Sequence, residues 1–248
     1  MFEPAAMVAI ALTFLLAGGV KGVVGLGLPT VSLALLATVF DLTTAMALMI
    51  VPSLATNLWQ AATGGNARAL IRRLWPFLLA ATATIWIGAA MLTRLDVGLL
   101  TALLGVLLVA YAALGLAGVR ITIRPPRERW AGPGFGAANG LLTGLTGSFV
   151  VPGVMYLQAI GLPRDMLVQA MGMLFAASTA ALGLALGGNR LLDGPLALTS
   201  TLALLPAILG MILGQRLRQW LSETAFRRVF FVAILALGLN ILVRAGFG

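Results

Sequence analysis

Residues 5 to 40 form one apolar run with a single charged side chain, Lys21. Drawn out as one α-helix, these roughly 36 residues would span about 54 Å, against a bilayer hydrocarbon core of about 30 Å. Such a run must bend, tilt steeply or fold back. Gly18, Gly19, Gly22, Gly25 and Gly27 lie inside it, and a second overlong run, about 131 to 159, carries Gly136, Gly140, Gly144 and Gly147. In lipid a broken helix is tolerated only where it is buried in protein or lines a cavity. Two glycine breaks in corresponding places therefore point to a binding site between two repeats.

The rest of the chain repeats the apolar theme. Its 248 residues are 60% hydrophobic and 9% charged, and the mean hydropathy of +1.06 excludes a soluble globular domain. Further apolar segments are read at about 43 to 63, 75 to 93, 97 to 118, 166 to 187, 195 to 215 and 226 to 246. The connections are too short for a folded extramembrane domain. The expected fold class is all-α: a polytopic transmembrane helix bundle that crosses the membrane several times. The start, Met1-Phe2-Glu3-Pro4, carries an acid where a secretory signal carries Lys or Arg, so the first run is read as retained structure.

The chain has neither His nor Cys. That removes the usual ligands and nucleophiles of zinc sites, haem sites, thiol enzymes and Ser-His dyads, so no catalytic residue, metal or cofactor is expected. The net charge of +9 could suggest nucleic acid, but all the basic residues except Lys21 are Arg and nearly all lie between apolar runs. The excess is read as topology, with the bilayer and not nucleic acid as partner.

Charge then constrains the crossings. The basic clusters are Arg68, Arg72, Arg73; Arg120, Arg124, Arg127, Arg129; and Arg216, Arg218, Arg227, Arg228. If every segment crossed once, the third cluster would face away from the first two, against the positive-inside rule. If the fifth segment enters and returns, all three share a face with Arg164, leaving Arg94, Arg190 and Arg244 on the other. Folding back the first segment as well gives two inverted repeats, each a Gly-broken first segment plus three transmembrane helices, with both termini outward. Eight simple crossings with kinks in the first and fifth segments are the rival.

The repeat extends beyond glycine. Ala45-Met46-Ala47-Leu48-Met49 resembles Ala170-Met171-Gly172-Met173-Leu174, Ser53 aligns with Ser178, and Gly64-Gly65-Asn66 matches Gly187-Gly188-Asn189. Residues 1–119 are read as the first transmembrane repeat, 120–130 as a basic cytoplasmic linker and 131–248 as the second repeat.

Lys21 dominates the chemistry. A charge at membrane depth costs at least about 2.5 to 3.5 kcal/mol on insertion scales and marks a functional candidate. One reading makes it an anion ligand, with the backbone around Gly22, Gly25 and Gly27 and nearby helix N-termini also favouring negative charge. The other has Lys21 ending a short helix and snorkelling to the interface. Asn139 holds the corresponding place in the second half, where a neutral amide offers directional hydrogen bonds without a second desolvated cation. Around it stand Gly140, Thr143, Gly144, Thr146, Gly147 and Ser148. Ser53, Ser178 and Asn57 complete the candidate substrate-binding set. Small polar residues in such segments also serve helix packing, and Asn57, Gln60, Gln158 and Gln169 read equally as interhelical hydrogen bonders.

Pro29, Pro52, Pro152 and Pro206 fall inside apolar segments, where each bends or ends a helix. Asp41 and Asp165 are read as helix caps, with a gating role as the alternative. No acid lies within an apolar segment, so an obvious buried proton carrier is missing. With the cytoplasm negative, each negative charge that leaves the cell is favoured by about 2.3 kcal/mol per 100 mV. An anion exporter can therefore run without such a carrier.

Three stretches carry a family likeness: Gly22-Val23-Val24-Gly25-Leu26-Gly27-Leu28-Pro29, the Ala45 to Ser53 stretch, and Gly140-Leu141-Leu142-Thr143-Gly144-Leu145-Thr146-Gly147 with Pro152. Together they resemble the sulfite exporter TauE/SafE family of bacterial membrane proteins over essentially the whole chain. Many members show a run of glycines after the first Gly-x-Gly, where this chain continues Leu28-Pro29. The resemblance implies transport, often export, of a small sulfur-containing or organic anion such as sulfite or a sulfonate across the cytoplasmic (inner) membrane. An anion channel and an intramembrane hydrolase using Ser148 with Lys21 as its base are the other readings. A homo-oligomer is left open.

Overall fold

The computed structural model describes residues 3–119, 121–220 and 222–247. Arg120 of the basic linker, Met1 and Phe2 of the acidic start and the terminal Gly248 lie outside the described residues. Eleven helices follow in order: α1 Pro4–Val24, α2 Leu28–Leu36, α3 Leu42–Ala62, α4 Ala67–Leu92, α5 Val97–Ala117, α6 Pro125–Thr146, α7 Gly153–Ala159, α8 Arg164–Gly188, α9 Gly194–Leu202, α10 Leu204–Leu217 and α11 Glu223–Phe247. Among the described residues there is no strand. Seven spans are long and apolar enough to cross a membrane: α1, α3, α4, α5, α8, α9 with α10, and most of α11. The expected all-helical transmembrane bundle is what the chain forms.

Carboxylates start several of these helices. Asp41 accepts from the Thr44 amide at 2.9 Å, Asp96 from the Leu99 amide at 3.0 Å and Asp193 from the Leu196 amide at 2.8 Å. Each satisfies an amide that has no partner within its helix. Asp165 does not cap: it sits inside the first turn of α8, behind Pro163 at the cap position. There its charge still complements the helix dipole.

Both overlong segments are broken, and by the same device. Gly25 ends α1 at φ 83° and its N–H returns to the Lys21 carbonyl at 2.7 Å; Gly147 ends α6 at φ 73° and returns to the Thr143 carbonyl at 2.8 Å. A left-handed residue after the last turn satisfies an orphan carbonyl, and glycine takes that conformation without a Cβ penalty. The arms are unequal. α1 and α6 have 21 and 22 residues, whereas the returning arms α2 and α7 have 9 and 7.

Contacts at the helix ends show where each arm goes. The Arg73 guanidinium near the start of α4 pairs with Glu128 at the start of α6 at 2.7 Å, and donates to the Ile160 carbonyl just past α7 at 3.0 Å. The Ile123 amide donates to the Ala159 carbonyl at 2.8 Å. α6 and α7 thus leave from and come back to one end of the bundle. Val24 and Gly25, ending α1, share a cavity with Thr63, Gly64, Arg164 and Arg218. Thr38, past α2, instead offers its carbonyl to Arg244 near the far end of α11 at 2.7 Å. Hence α2 retraces part of the path that α1 has taken.

Glycine has a second use here. Gly18 and Gly22 of α1 lie against the backbone of Ala207, Met211 and Gly214 in α10, and Gly136, Gly140 and Gly144 of α6 lie against Phe77, Ala81 and Ile85 in α4. A Cβ at any of these glycines would meet backbone of the neighbouring helix. Lipid tails give helices no hydrophobic reason to associate, so close backbone approach and van der Waals contact hold the pairs together. Val8, Leu12 and Leu16 on another side of α1 are exposed, as a lipid-facing surface requires. α3 packs on α8 and α5 on α11. The first long helix of each half therefore packs on the third span of the other half.

Two prolines show how a helix copes without a donor. Pro52 stays inside α3, leaving the Leu48 carbonyl without its helical partner, and the Ser200 hydroxyl of α9 donates to that carbonyl at 2.8 Å. The Val51 amide donates back to Ser200 Oγ at 3.1 Å. Pro206 instead follows the α9/α10 break at Ala203, where the expected bend occurs.

Candidate functional site

Lys21 is in the last turn of α1, yet it does not snorkel: it is 5% exposed. Its Nζ donates to Asn57 Oδ1 in a short contact and to Thr56 Oγ1 at 3.3 Å. Thr56 passes its own proton to the Pro52 carbonyl at 2.8 Å, which leaves its oxygen free to accept from the ammonium. Among the described residues no carboxylate lies within ion-pair distance of Lys21. An ammonium has three donors and no acceptor. Two are taken by neutral oxygens, so the positive charge itself is not balanced.

Asn139 is fixed in a parallel way. Its Oδ1 accepts from the Gly153 amide at the start of α7 at 2.9 Å. Lysine and a backbone amide can only donate here, so both Asn57 and Asn139 must turn their carbonyl oxygens inward and present their NH2 groups. Among the described residues both amide nitrogens are buried without a hydrogen-bond partner, as are the hydroxyls of Ser53, Ser178 and Thr179. Leaving a buried polar group unsatisfied costs about 1–3 kcal/mol. Five such groups, every one able to donate, form a donor-rich interior.

Packing sets the level of these groups along α8. Gly172 lies against Gln60 and Gly183 against Ile50, so α8 runs antiparallel to α3 and Ser53 comes level with Ser178 and Thr179. The same register sets Asn57 level with Phe175. Gly153, held by Asn139, lies against Leu174. The charged and neutral asparagine sites thus approach the same turn of α8. Reciprocal bonds lock this crossing: Gln60 donates to the Val168 carbonyl at 2.7 Å and Gln169 to the Ala61 carbonyl at 2.9 Å. These two amides do serve interhelical bonding, while Gln158 is exposed.

The remaining candidates are placed as follows. Thr143 donates to the Ser148 carbonyl at 2.9 Å, Thr146 donates to the Leu142 carbonyl at 2.7 Å, and Thr146 accepts from the Ser148 amide at 3.2 Å. These hydroxyls brace the α6–α7 turn. Gly22, Gly140 and Gly144 contact neighbouring helix backbones, Gly25 and Gly147 close the two αL ends, and Gly27 lies near Val20 and Phe230. Thr56 and Thr179 were missed by sequence reasoning. Thr56 lies one turn from Ser53 and Thr179 adjoins Ser178, so helical spacing from the duplicated serines would have found both.

The sequence profile of the sulfite exporter TauE/SafE family matches residues 10–241, nearly the whole chain. The chain belongs to that family. TauE/SafE is a family of membrane transporters, and the seven spans make this member a multi-pass membrane protein. No curated protein and no solved structure matches it. In this TauE/SafE chain the one lysine, on α1, bonds to α3, and the donors without a partner among the described residues lie on α3, α6 and α8, with α3 and α6 each packed against α8.

Proposed function

We propose that the protein carries a small anion, sulfite or a related sulfonate or organic anion, across the cytoplasmic membrane, as an exporter working by alternating access. One observation carries this reading. The sole lysine is buried against Asn57 with no carboxylate at ion-pair distance among the described residues, and five groups able to donate are buried without a partner among those residues. An anion would supply both the missing charge and the missing acceptors. Lys21 with Asn57 forms the charged half of the site, Asn139 the neutral half, and Ser53, Ser178 and Thr179 the hydroxyls between them.

The same reading treats residues 1–119 and 131–248 as inverted repeats joined by the basic segment 120–130. The opposite return paths of the two broken segments and the reciprocal packing of α1 on α10 and α6 on α4 support it. An anion leaving a negative cytoplasm moves downhill, so export needs no proton-carrying carboxylate. A hydrolytic role is disfavoured, because Lys21 donates to Thr56 and Asn57 and not to Ser148.

Uptake into proteoliposomes, with a panel of sulfite, sulfonates, sulfate and small carboxylates, tests the proposal. A carrier gives saturable flux and counterflow for at least one of these anions. Large single-channel currents would make it a channel, and absence of flux for every anion would remove the transport reading of this site.

A further inference from the structure

A second cationic site lies away from the central donors. At the end of the bundle where α4 and α6 begin and α7 ends, a cavity of about 420 Å³ is lined by Arg72, Arg73, Trp75, Glu128, Arg129 and Tyr156. Arg73 is paired with Glu128 by two hydrogen bonds, at 2.7 and 2.9 Å. That leaves Arg72 and Arg129, both exposed and without a carboxylate at ion-pair distance among the described residues. The cavity is therefore positive. Its floor is apolar, made by Phe77, Pro76 and Pro133.

Each free arginine also offers an acceptor. Pro76 and Pro133 interrupt α4 and α6, and a proline withholds the helical donor from the carbonyl four residues earlier. Those carbonyls belong to Arg72 and Arg129. Both residues line the cavity, so two cations share one rim with two carbonyls that have no helical donor four residues on. Trp75 and Trp130 flank it, 56% and 80% exposed, and the Arg129 guanidinium lies 6.0 Å from the Trp130 ring centre. Exposed tryptophan beside arginine is the signature of the headgroup layer. The Tyr156 ring packs against Phe77, tilted, and Phe135, stacked, with centres 4.7 and 5.6 Å away.

We propose that this cavity binds the headgroup of an anionic phospholipid that carries free hydroxyls, of the phosphatidylglycerol type. The phosphodiester sits between Arg72 and Arg129, the headgroup hydroxyls donate to the two proline-freed carbonyls, and the glycerol backbone rests on the apolar floor. Basic pockets between transmembrane helices on the arginine-rich face recognise such lipids by charge, and hydroxyl donors discriminate among them.

The test is thermal unfolding of the full chain in neutral detergent with added phosphatidylglycerol, phosphatidylcholine or inorganic phosphate. A ligand that binds the folded state raises the midpoint in a concentration-dependent way. Phosphatidylglycerol should do so and the other two should not. Arg72→Gln with Arg129→Gln should need about thirtyfold more phosphatidylglycerol for the same rise, given what two arginines contribute beside an anionic headgroup. Arg94→Gln with Arg190→Gln, at the other end of the bundle, should respond as wild type. An undiminished response in the first pair, or an equal rise with inorganic phosphate, overturns the proposal. If the first pair unfolds on purification, tryptophan quenching of the wild type replaces it. Brominated phosphatidylglycerol should quench more than brominated phosphatidylcholine, and Trp75→Phe with Trp130→Phe should abolish the excess; equal quenching by both lipids contradicts the site.

Discussion

The two broken segments, α1–α2 and α6–α7, share a backbone and differ in chemistry. Each long arm ends in a left-handed glycine whose N–H returns four residues, and each is followed by a short returning helix. The first places a lysine one turn before its break and binds it to neutral oxygens of α3. The second has no charge there. It spends Asn139 on the start of α7 and two threonines on its own turn. One backbone solution thus carries two chemistries: the first segment buries a positive charge, and the second buries a neutral amide.

The comparison breaks most severely at Lys21. Lys21→Gln removes the charge while keeping a donor, and anion flux in proteoliposomes should fall at least about a hundredfold if a desolvated cation holds the substrate. Asn139→Ala should act more mildly on flux, by about tenfold. It also leaves the Gly153 amide unsatisfied, lowering stability by about 1–3 kcal/mol in a thermal or denaturant melt. Flux retained by Asn139→Ala with unchanged stability would mean that the second segment is not held this way.

Packing gives the next smaller effect. Gly140→Ala puts a methyl group into the Ala81 carbonyl of α4 and should destabilise by about 1–3 kcal/mol, whereas Gly134→Ala, with open space around it, should be close to neutral. Equal melting behaviour of the two variants would refute the close approach of α6 and α4. Ser200→Ala should cost about 1 kcal/mol by stranding the Leu48 carbonyl that Pro52 left free. Ser178→Ala should leave the melt nearly unchanged, since its hydroxyl has no partner to lose, while lowering apparent anion affinity.

Much of this is legible in the sequence. Composition and overlong apolar runs dictate a helical membrane bundle, and the excess length of residues 5 to 40 and 131 to 159 requires the two breaks. Lys21 was visible because a charge among apolar residues is costly. Ser53 and Ser178, both buried without partners among the described residues, stand out because the sequence aligns them. The glycines were read too uniformly. Gly25 and Gly147 break helices, but Gly22, Gly140 and Gly144 stay helical and let neighbouring backbones touch, a property set by the partner helix and absent from local sequence. The unequal arms follow from that division, because the breaks fall late in each run. Asp165 likewise depends on where α8 begins, which Pro163 moves ahead of it. The pairing of Lys21 with Asn57 joins residues 36 positions apart on two helices, and no periodicity in either helix encodes it.

The central claim is that the anion site has one charged and one neutral half. Its most direct test is the concentration dependence of initial anion uptake by wild type, Lys21→Ala and Asn139→Ala, reconstituted side by side at equal protein density. The account predicts saturable uptake for wild type, background uptake for Lys21→Ala, and a saturable curve of weaker apparent affinity for Asn139→Ala. Wild-type uptake by Lys21→Ala would contradict it.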